Sequence, residues 1–181
     1  MKSFVVIVIS LLLTSSASKL IKTKVADGIV VSLPAALMPM PPDDIAQRYP
    51  SVRAPLGAYT NLDRDVDFSV NISATNWPDG NVEMAQGFFK SSLYNLYDRV
   101  DMMNEGIQVI RKKKFIFFEF ESRISGNARK QGQQDPVLRY TYVQYLLQPK
   151  RTLVFTFTCT KNQQEEWQET AKEIMKSIKV N

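Results

Sequence analysis

The 181-residue sequence contains no histidine and only one cysteine, Cys159. Without histidine, the chain cannot build a catalytic triad, a general base or a metal site that depends on an imidazole. A lone cysteine excludes an intrachain disulfide, and it excludes the cysteine clusters that bind zinc or iron–sulfur centres. We therefore predict no catalytic residue, no metal and no cofactor, and we expect that the protein is not an enzyme.

The sequence also lacks a hydrophobic run of the roughly 20 residues that a membrane-spanning helix needs. The nearest approach is the apolar segment 4–13, which follows Lys2 and precedes the small residues 14–18. This order is typical of a secretory signal peptide. We expect residues 1–18 to be a cleaved signal, residues 19–181 to form one domain without a transmembrane span, and the protein to be periplasmic or secreted. An uncleaved N-terminal anchor is the alternative.

Hydrophobic periodicity predicts an α+β fold. Residues 66–74 alternate apolar and polar side chains, as in a strand with one buried and one wet face. Residues 82–103 instead show a helical period, with Phe88, Phe89, Leu93 and Leu96 on a stripe that we expect to be buried and Gly106 after the helix end. Further strands are predicted at 28–33, 57–62, 107–111, 115–124, 137–147 and 152–160, a helical turn at 42–44, and a last helix over 162–178 that opens on a capping box of Asn162 and Glu165. Hairpins between most strands predict an α/β/α sandwich, a central antiparallel sheet flanked by helices.

This order of elements resembles the PsbP-like / Mog-type superfamily, which includes the bacterial exported DcrB-like proteins. The resemblance lies in the opening strand GIVVSLP (28–34), the strand DFSVNI (67–72), and the ending RTLVFTFTCT (151–160) with its following helix. It covers most of the chain after residue 18. It implies the same α/β/α sandwich, and it supplies no catalytic motif.

Four other patterns have structural readings that we favour over functional ones. The segment 63–67 has the acidic spacing of a calcium loop, but Phe68 and Ala74 occupy the positions of its glycine and glutamate, so it predicts an acidic bend. Cys159 shares the parity of neighbouring apolar residues and is expected in the core. Glu119 and Glu121 lie on one strand face, where solvation or pairing with a cation is more common than acid–base chemistry. The fourth pattern comprises aromatic residues that either pack between sheet and helix or line an apolar ligand pocket: Trp77, Phe117, Tyr140, Tyr142 and Tyr145.

Charge is unevenly distributed, because the formal net charge of the chain is +5 whereas residues 106–161 alone carry eleven Lys/Arg and three Asp/Glu. If residues 107–160 form two successive hairpins, the first and third turns share one end of the sheet. Six cations would then form one basic rim: Arg111, Lys112, Lys113, Lys114, Lys150 and Arg151.

Ordinary protection of strand edges and turns by lysine is one explanation for the basic rim. The other is docking to an acidic partner, either a protein or an anionic component of the cell envelope. We expect this rim to dock the partner in preference to the loop that carries Arg129 and Lys130. Nucleic acid is not an expected partner of an exported chain. The competing function is a small-ligand carrier with an apolar pocket between sheet and helices.

Overall fold

A computed structural model describes residues 19–50, 53–77, 80–124 and 136–181. Residues 1–18, the predicted signal peptide, lie outside the described residues, as does the loop with Arg129 and Lys130. The strands are β1 (Leu20–Ala26), β2 (Ile29–Pro34), β3 (Met38–Pro39), β4 (Gly57–Thr60), β5 (Val66–Ile72), β6 (Arg99–Ile110), β7 (Lys113–Ile124), β8 (Val137–Gln148), β9 (Arg151–Thr160) and β10 (Lys179–Val180). The helices are α1 (Pro42–Arg48), α2 (Val82–Leu96) and α3 (Gln164–Ser177). In this part of the chain, no helix combines the length and the apolar character needed to cross a bilayer.

Seven strands form one antiparallel sheet in the order β3-β4-β5-β9-β8-β7-β6. Strands β6 to β9 follow one another as hairpins, as predicted. Helix α3 packs on one face of this sheet and α2 on the other, because the two apolar clusters of the core lie on opposite sides of β7 and β8. The α+β sandwich with a central antiparallel sheet is therefore confirmed.

The predicted helix over 82–103 is too long, because α2 ends at Leu96 and β6 begins at Arg99. Val100 and Met103 match the helical spacing by coincidence. Their own segment alternates exposed and half-buried side chains, which is the period of a strand. Gly106 consequently lies inside β6, opposite Phe117, and does not end a helix.

Only half of the predicted α2 stripe is buried. Phe89 and Leu93 contact the sheet, whereas Phe88 is 41% and Leu96 69% exposed. Phe88 instead forms a ring contact with Trp77, at 5.6 Å between centroids. Leu96 is the last residue of the helix, and the Phe88 ring packs on Trp77 at the margin of the helix–sheet contact, so the prediction that these two side chains are buried is wrong.

The capping box predicted at Asn162 is also absent. A single 3₁₀ turn, Lys161–Gln163, precedes α3, whose N-cap residue is Gln163 and has no side-chain cap hydrogen bond. The Lys161 Nζ atom instead donates to Gln164 Oε1 at 2.8 Å. The spacing of a capping box was present, but the chain leaves β9 through a tighter turn.

A second sheet of three strands, ordered β1-β2-β10, was not predicted beyond β2. Helix α3 packs between this small sheet and the large one, and apolar residues of both sheets join one core cluster. Strand β10 contains only two residues, which is too short to show a period. Strand β1 does not alternate clearly, because the adjacent residues Ile21 and Lys22 are both exposed.

Candidate functional site

The basic rim forms at one end of the seven-stranded sheet. The β6–β7 hairpin closes between Ile110 and Lys113, and the β8–β9 hairpin closes between Gln148 and Arg151. Lys113 and Lys114 line a cavity of about 320 Å³ together with Gln148 and Pro149 of the second hairpin. The two turns therefore lie side by side, as the predicted topology requires.

The turn of the first hairpin has an unusual backbone. Arg111 and Lys112 are its two central residues, and their φ angles are 48° and 67°. Two residues with positive φ form the type I′ turn that fits the twist of a hairpin, and asparagine followed by glycine is its preferred sequence. A residue with a Cβ atom is destabilised in this region by about 1–2 kcal/mol. The chain thus places two long cations where a small residue would be more stable.

The charges of the rim are not neutralised within the described part of the chain. None of the six cations forms an ion pair there. Arg151 donates from Nε to Gln148 Oε1 at 2.9 Å, which orients its guanidinium without cancelling its charge. Arg111, Lys112, Lys114 and Lys150 are exposed, and Lys113 and Arg151 are half-buried.

Edge protection accounts for only part of this arrangement. Strand β6 is an edge strand, but β7, β8 and β9 are interior strands of the sheet. Lys113 and Lys114 belong to β7, and Arg151 belongs to β9. Cations on interior strands have no free edge to protect.

The two glutamates of β7 are paired, as the structural reading predicted. Tyr140 and Gln168 donate hydrogen bonds to Glu119 Oε1 at 3.0 and 2.7 Å, and Lys172 lies 3.8 Å from the same oxygen. Glu121 forms an ion pair with Lys161. Burial and the neighbouring Glu119 raise the pKa of the Tyr140 hydroxyl, which therefore stays protonated and donates to the carboxylate.

Cys159 and the acidic segment 63–67 also have structural roles. Cys159 is fully buried, and burial raises the pKa of its thiol to about 12, so the thiolate needed for nucleophilic chemistry is absent at neutral pH. The acidic segment 63–67 forms a bend in which the Asn61 side chain accepts hydrogen bonds from the backbone of Asp65 and Val66. No group of metal-ligating side chains occurs among the described residues.

The aromatic residues considered for an apolar pocket pack against one another or their neighbours. Phe117 stacks on Tyr142 at 5.8 Å, and Tyr145 stacks on Phe89 at 4.1 Å. Tyr140 contacts the ring of Phe157 edge-on. These contacts fit the packing role of these residues.

A polar groove on the α2 side of the sheet was missed by sequence reasoning. The polar side of β5 was predicted to be wet, but Asp67 and Ser69 are buried. Helix α1 covers them, because the Arg48 guanidinium pairs with Asp67 and donates to Thr60 Oγ1 at 3.3 Å. Burial raises the pKa of Asp67 against the opposing pull of the Arg48 and Arg139 guanidiniums.

The groove has a volume of about 270 Å³ and lies beyond the reach of α2. Its floor is formed by hydroxyl side chains of three interior strands, and its walls by Tyr49, Tyr97 and Arg139. A second cavity of about 600 Å³ adjoins it and shares Tyr49 and Asn71. The floor residues are Ser69 on β5, Thr141 on β8, and Thr156 and Thr158 on β9.

One signal in the sequence could have identified this groove. Interior strands of a covered sheet are normally apolar on both faces. Strand β9 nevertheless alternates Phe155 and Phe157 with Thr156 and Thr158. Hydroxyl side chains on one face of an interior strand indicate that no helix covers that face.

No protein-family model matches this chain, and no curated protein sequence matches it at a significant level. Solved structures do match. The PsbP of the cyanobacterium Synechocystis (CyanoP) superposes with a TM-score of 0.59 at 13% identity, covering 95% of this chain and 98% of that one. The Ran-binding protein Mog1p of Saccharomyces cerevisiae gives 0.56 at 12% identity, with 90% and 96% covered. LpqN of Mycobacterium tuberculosis, described as involved in cell envelope biogenesis, gives 0.55 at 13% identity, with 90% and 91% covered. The chain therefore has the PsbP/Mog-like fold that its sequence resemblance implied.

Proposed function

We propose that this chain is an exported, non-catalytic binding protein of the bacterial cell envelope, and that the basic rim docks it on an acidic partner. The partner is a protein or an anionic envelope component. Two proteins of the same fold lend support: Mog1p is a Ran-binding protein, and LpqN is involved in cell envelope biogenesis.

The observation that carries this proposal is the uncompensated charge of the basic rim. Six cations converge from two hairpins, and no described carboxylate pairs with them. Like charges on two neighbouring turns repel one another and so destabilise the folded state. An acidic surface would remove that repulsion and would meet four exposed cations of the rim, namely Arg111, Lys112, Lys114 and Lys150.

The backbone of the first hairpin supports the same conclusion. Arg111 and Lys112 occupy a left-handed conformation that favours small residues. Strain of this kind is concentrated at functional sites, where side-chain identity matters more than local stability. The turn projects both cations beyond the end of the sheet.

The test is capture of partners from an envelope fraction by the C-terminally tagged chain, at low and high salt. Exposed charges are screened over about 8 Å at physiological ionic strength, so binding through the rim should weaken steeply as salt is added. The double charge reversal Lys113→Glu with Lys150→Glu should abolish capture of the salt-sensitive partner.

A matched control is the double reversal Lys22→Glu with Lys179→Glu. Both lysines are exposed and lie on the small sheet, and they change the net charge by the same amount. This control should retain the partner. Equal loss from both double variants, or capture that does not respond to salt, would show that the basic rim is not the docking site.

The predicted signal peptide provides the route to the envelope in this proposal. We expect the exported protein to begin near residues 17–19. N-terminal sequencing of protein recovered from the periplasm or the medium checks this directly. Recovery of a chain that still begins with Met1 would contradict it and would favour the uncleaved anchor.

A further inference from the structure

Arg139 is the most informative side chain of the polar groove. It lies on the interior strand β8, between Thr160 of β9 and Ser122 of β7, and it is half-buried. Within the described residues its guanidinium forms no ion pair, and no hydrogen bond to it is found. Arg48 on the opposite wall differs, because Asp67 already neutralises it. Partial burial of an unpaired cation is costly, so Arg139 points to an anion supplied from outside the chain.

The hydroxyl groups of the floor define what else the ligand must offer. Thr158 Oγ1 donates its hydrogen to the Tyr140 carbonyl oxygen at 3.1 Å. Because that hydrogen is used, Thr141 is the donor in the 3.2 Å contact between the Thr141 and Thr158 hydroxyls. Both oxygens keep free lone pairs and have no free hydrogen. The Thr141 and Thr158 hydroxyls therefore accept hydrogen bonds from a ligand, whereas Arg139 donates them.

The charge of the groove limits the ligand to one negative charge. Two guanidiniums, those of Arg48 and Arg139, act on the single carboxylate of Asp67, which leaves one net positive charge among the groove residues. A carboxylate matches a guanidinium in both charge and geometry. A phosphate monoester carries about 1.5 to 2 negative charges at pH 7 and would face Asp67 with too few cations.

Size and walls complete the description. The volume of about 270 Å³ far exceeds the roughly 10–15 Å³ that a single water molecule needs on the same measure, so the groove has room for a small organic molecule. The Tyr49 and Tyr97 rings provide apolar walls for the carbon skeleton, and burial raises the pKa of both phenols, which stay neutral.

We propose that this groove binds a small hydroxylated monocarboxylate, such as a sugar acid. The carboxylate pairs with Arg139, and the ligand hydroxyls donate to Thr141 and Thr158. The site lies about 30 Å from the basic rim along β8, since nine residues at about 3.3 Å each separate Arg139 from Gln148. It is therefore independent of the proposed docking function.

The test is an NMR titration of the ¹⁵N-labelled chain with sodium gluconate as the probe. Gluconate combines one carboxylate with several hydroxyls, and sorbitol and sodium acetate each offer one half of that chemistry. Gluconate should give saturable shifts at the Thr141, Thr156 and Thr158 amides. Sorbitol and acetate should each bind at least tenfold more weakly.

Arg139→Gln should weaken gluconate binding at least tenfold, and its spectrum reports whether the fold is retained. Arg139→Lys keeps the charge but loses the fork of donors, so it should restore part of the affinity. Lys150→Gln on the basic rim is the control and should bind like the parent.

Three results would overturn the proposal: no saturable shifts at the groove with gluconate, acetate binding as tightly as gluconate, or unchanged affinity in a folded Arg139→Gln. Tighter binding of glucose 6-phosphate than of gluconate would replace the carboxylate with a phosphate.

Discussion

The face of the seven-stranded sheet beneath α3 carries apolar side chains across its central strands. Phe68, Phe155, Phe157 and Tyr140 are fully buried there. The face beneath α2 is apolar over β7 and β8, but it becomes a hydroxyl-lined groove over β5 and β9. One end of it also opens onto the cavity lined by Lys113 and Lys114. The α3 face is apolar across its central strands and stabilises the fold by burial, whereas part of the α2 face is polar or charged and contributes less to stability.

The two faces can be compared at adjacent residues of strand β9, because Phe157 lies on the α3 face and Thr156 on the groove face. Phe157→Ala on the α3 face should lower the free energy of unfolding by about 3–5 kcal/mol, because it leaves a cavity in a fully buried core. Thr156 lines the groove on the other face, and Thr156→Val should change the free energy of unfolding by less than about 1 kcal/mol. Urea denaturation of both variants measures the difference. Similar losses would show that the groove face is as important for stability as the core.

Helix α2 offers a second adjacent pair. Phe89→Ala should cost about 3–5 kcal/mol, since Phe89 is buried and stacks on Tyr145. Phe88→Ala should cost less than about 1 kcal/mol, because the residue is 41% exposed and its ring contacts are with Trp77 and Phe89. Chemical denaturation of the two variants tests this, and a loss below about 1 kcal/mol for Phe89→Ala would mean that α2 hardly contributes to the core.

The closure of the groove by α1 can be broken at Arg48. Arg48→Met leaves the Asp67 carboxylate buried without its cation, which should cost about 1–3 kcal/mol at pH 7. Burial already raises the pKa of Asp67, and loss of Arg48 raises it further. The folded variant then binds a proton more tightly than the unfolded chain, whose aspartate pKa is about 3.9. Its stability therefore falls as the pH rises above about 4.

Urea melts at pH 4 and pH 7 measure this dependence for Arg48→Met. The double variant Arg48→Met with Asp67→Asn removes the charge and should recover most of the loss at pH 7. A cost that is the same at both pH values would indicate lost packing of Arg48 and not an unpaired carboxylate.

The smallest expected effect is a gain at the β6–β7 turn. Arg111→Asn with Lys112→Gly supplies the preferred type I′ residues and should raise the free energy of unfolding by about 1–2 kcal/mol. Arg111→Asn with Lys112→Ala removes the same charges but keeps a Cβ atom at residue 112, so it should gain less. Equal gains from the two variants in denaturant melts would attribute the cost to charge repulsion and not to the backbone.

The sequence predicted what depends on strong local periodicity. The four long strands β6 to β9, with the exception of the first half of β6, were recognisable from alternation and turn residues. Helix α3 was recognisable from its stripe through Trp167 and Ile174. These elements fixed the sandwich and brought the two basic turns to one end.

The remaining features depend on long-range contacts that no local pattern records. The wet side of β5 becomes buried only because Arg48 reaches it from α1. Residues 97–103 satisfy helical and strand periods at once, and pairing with β7 decides between them. The groove likewise arises where α2 ends, and the helix ends at Leu96, several residues before the predicted end at residue 103.

The small sheet has a consequence for how the chain folds in time. Strand β2 pairs with β10, and the Ser32 amide donates to the Ser177 hydroxyl from 145 residues away. The Asn181 amide also donates to the Gly28 carbonyl oxygen at 2.9 Å. Contacts of such sequence separation slow folding, because a long loop must close before they form. Strand β2 can form its hairpin with β1 early, but its other edge stays unpaired until β10 reaches it from the far end of the domain.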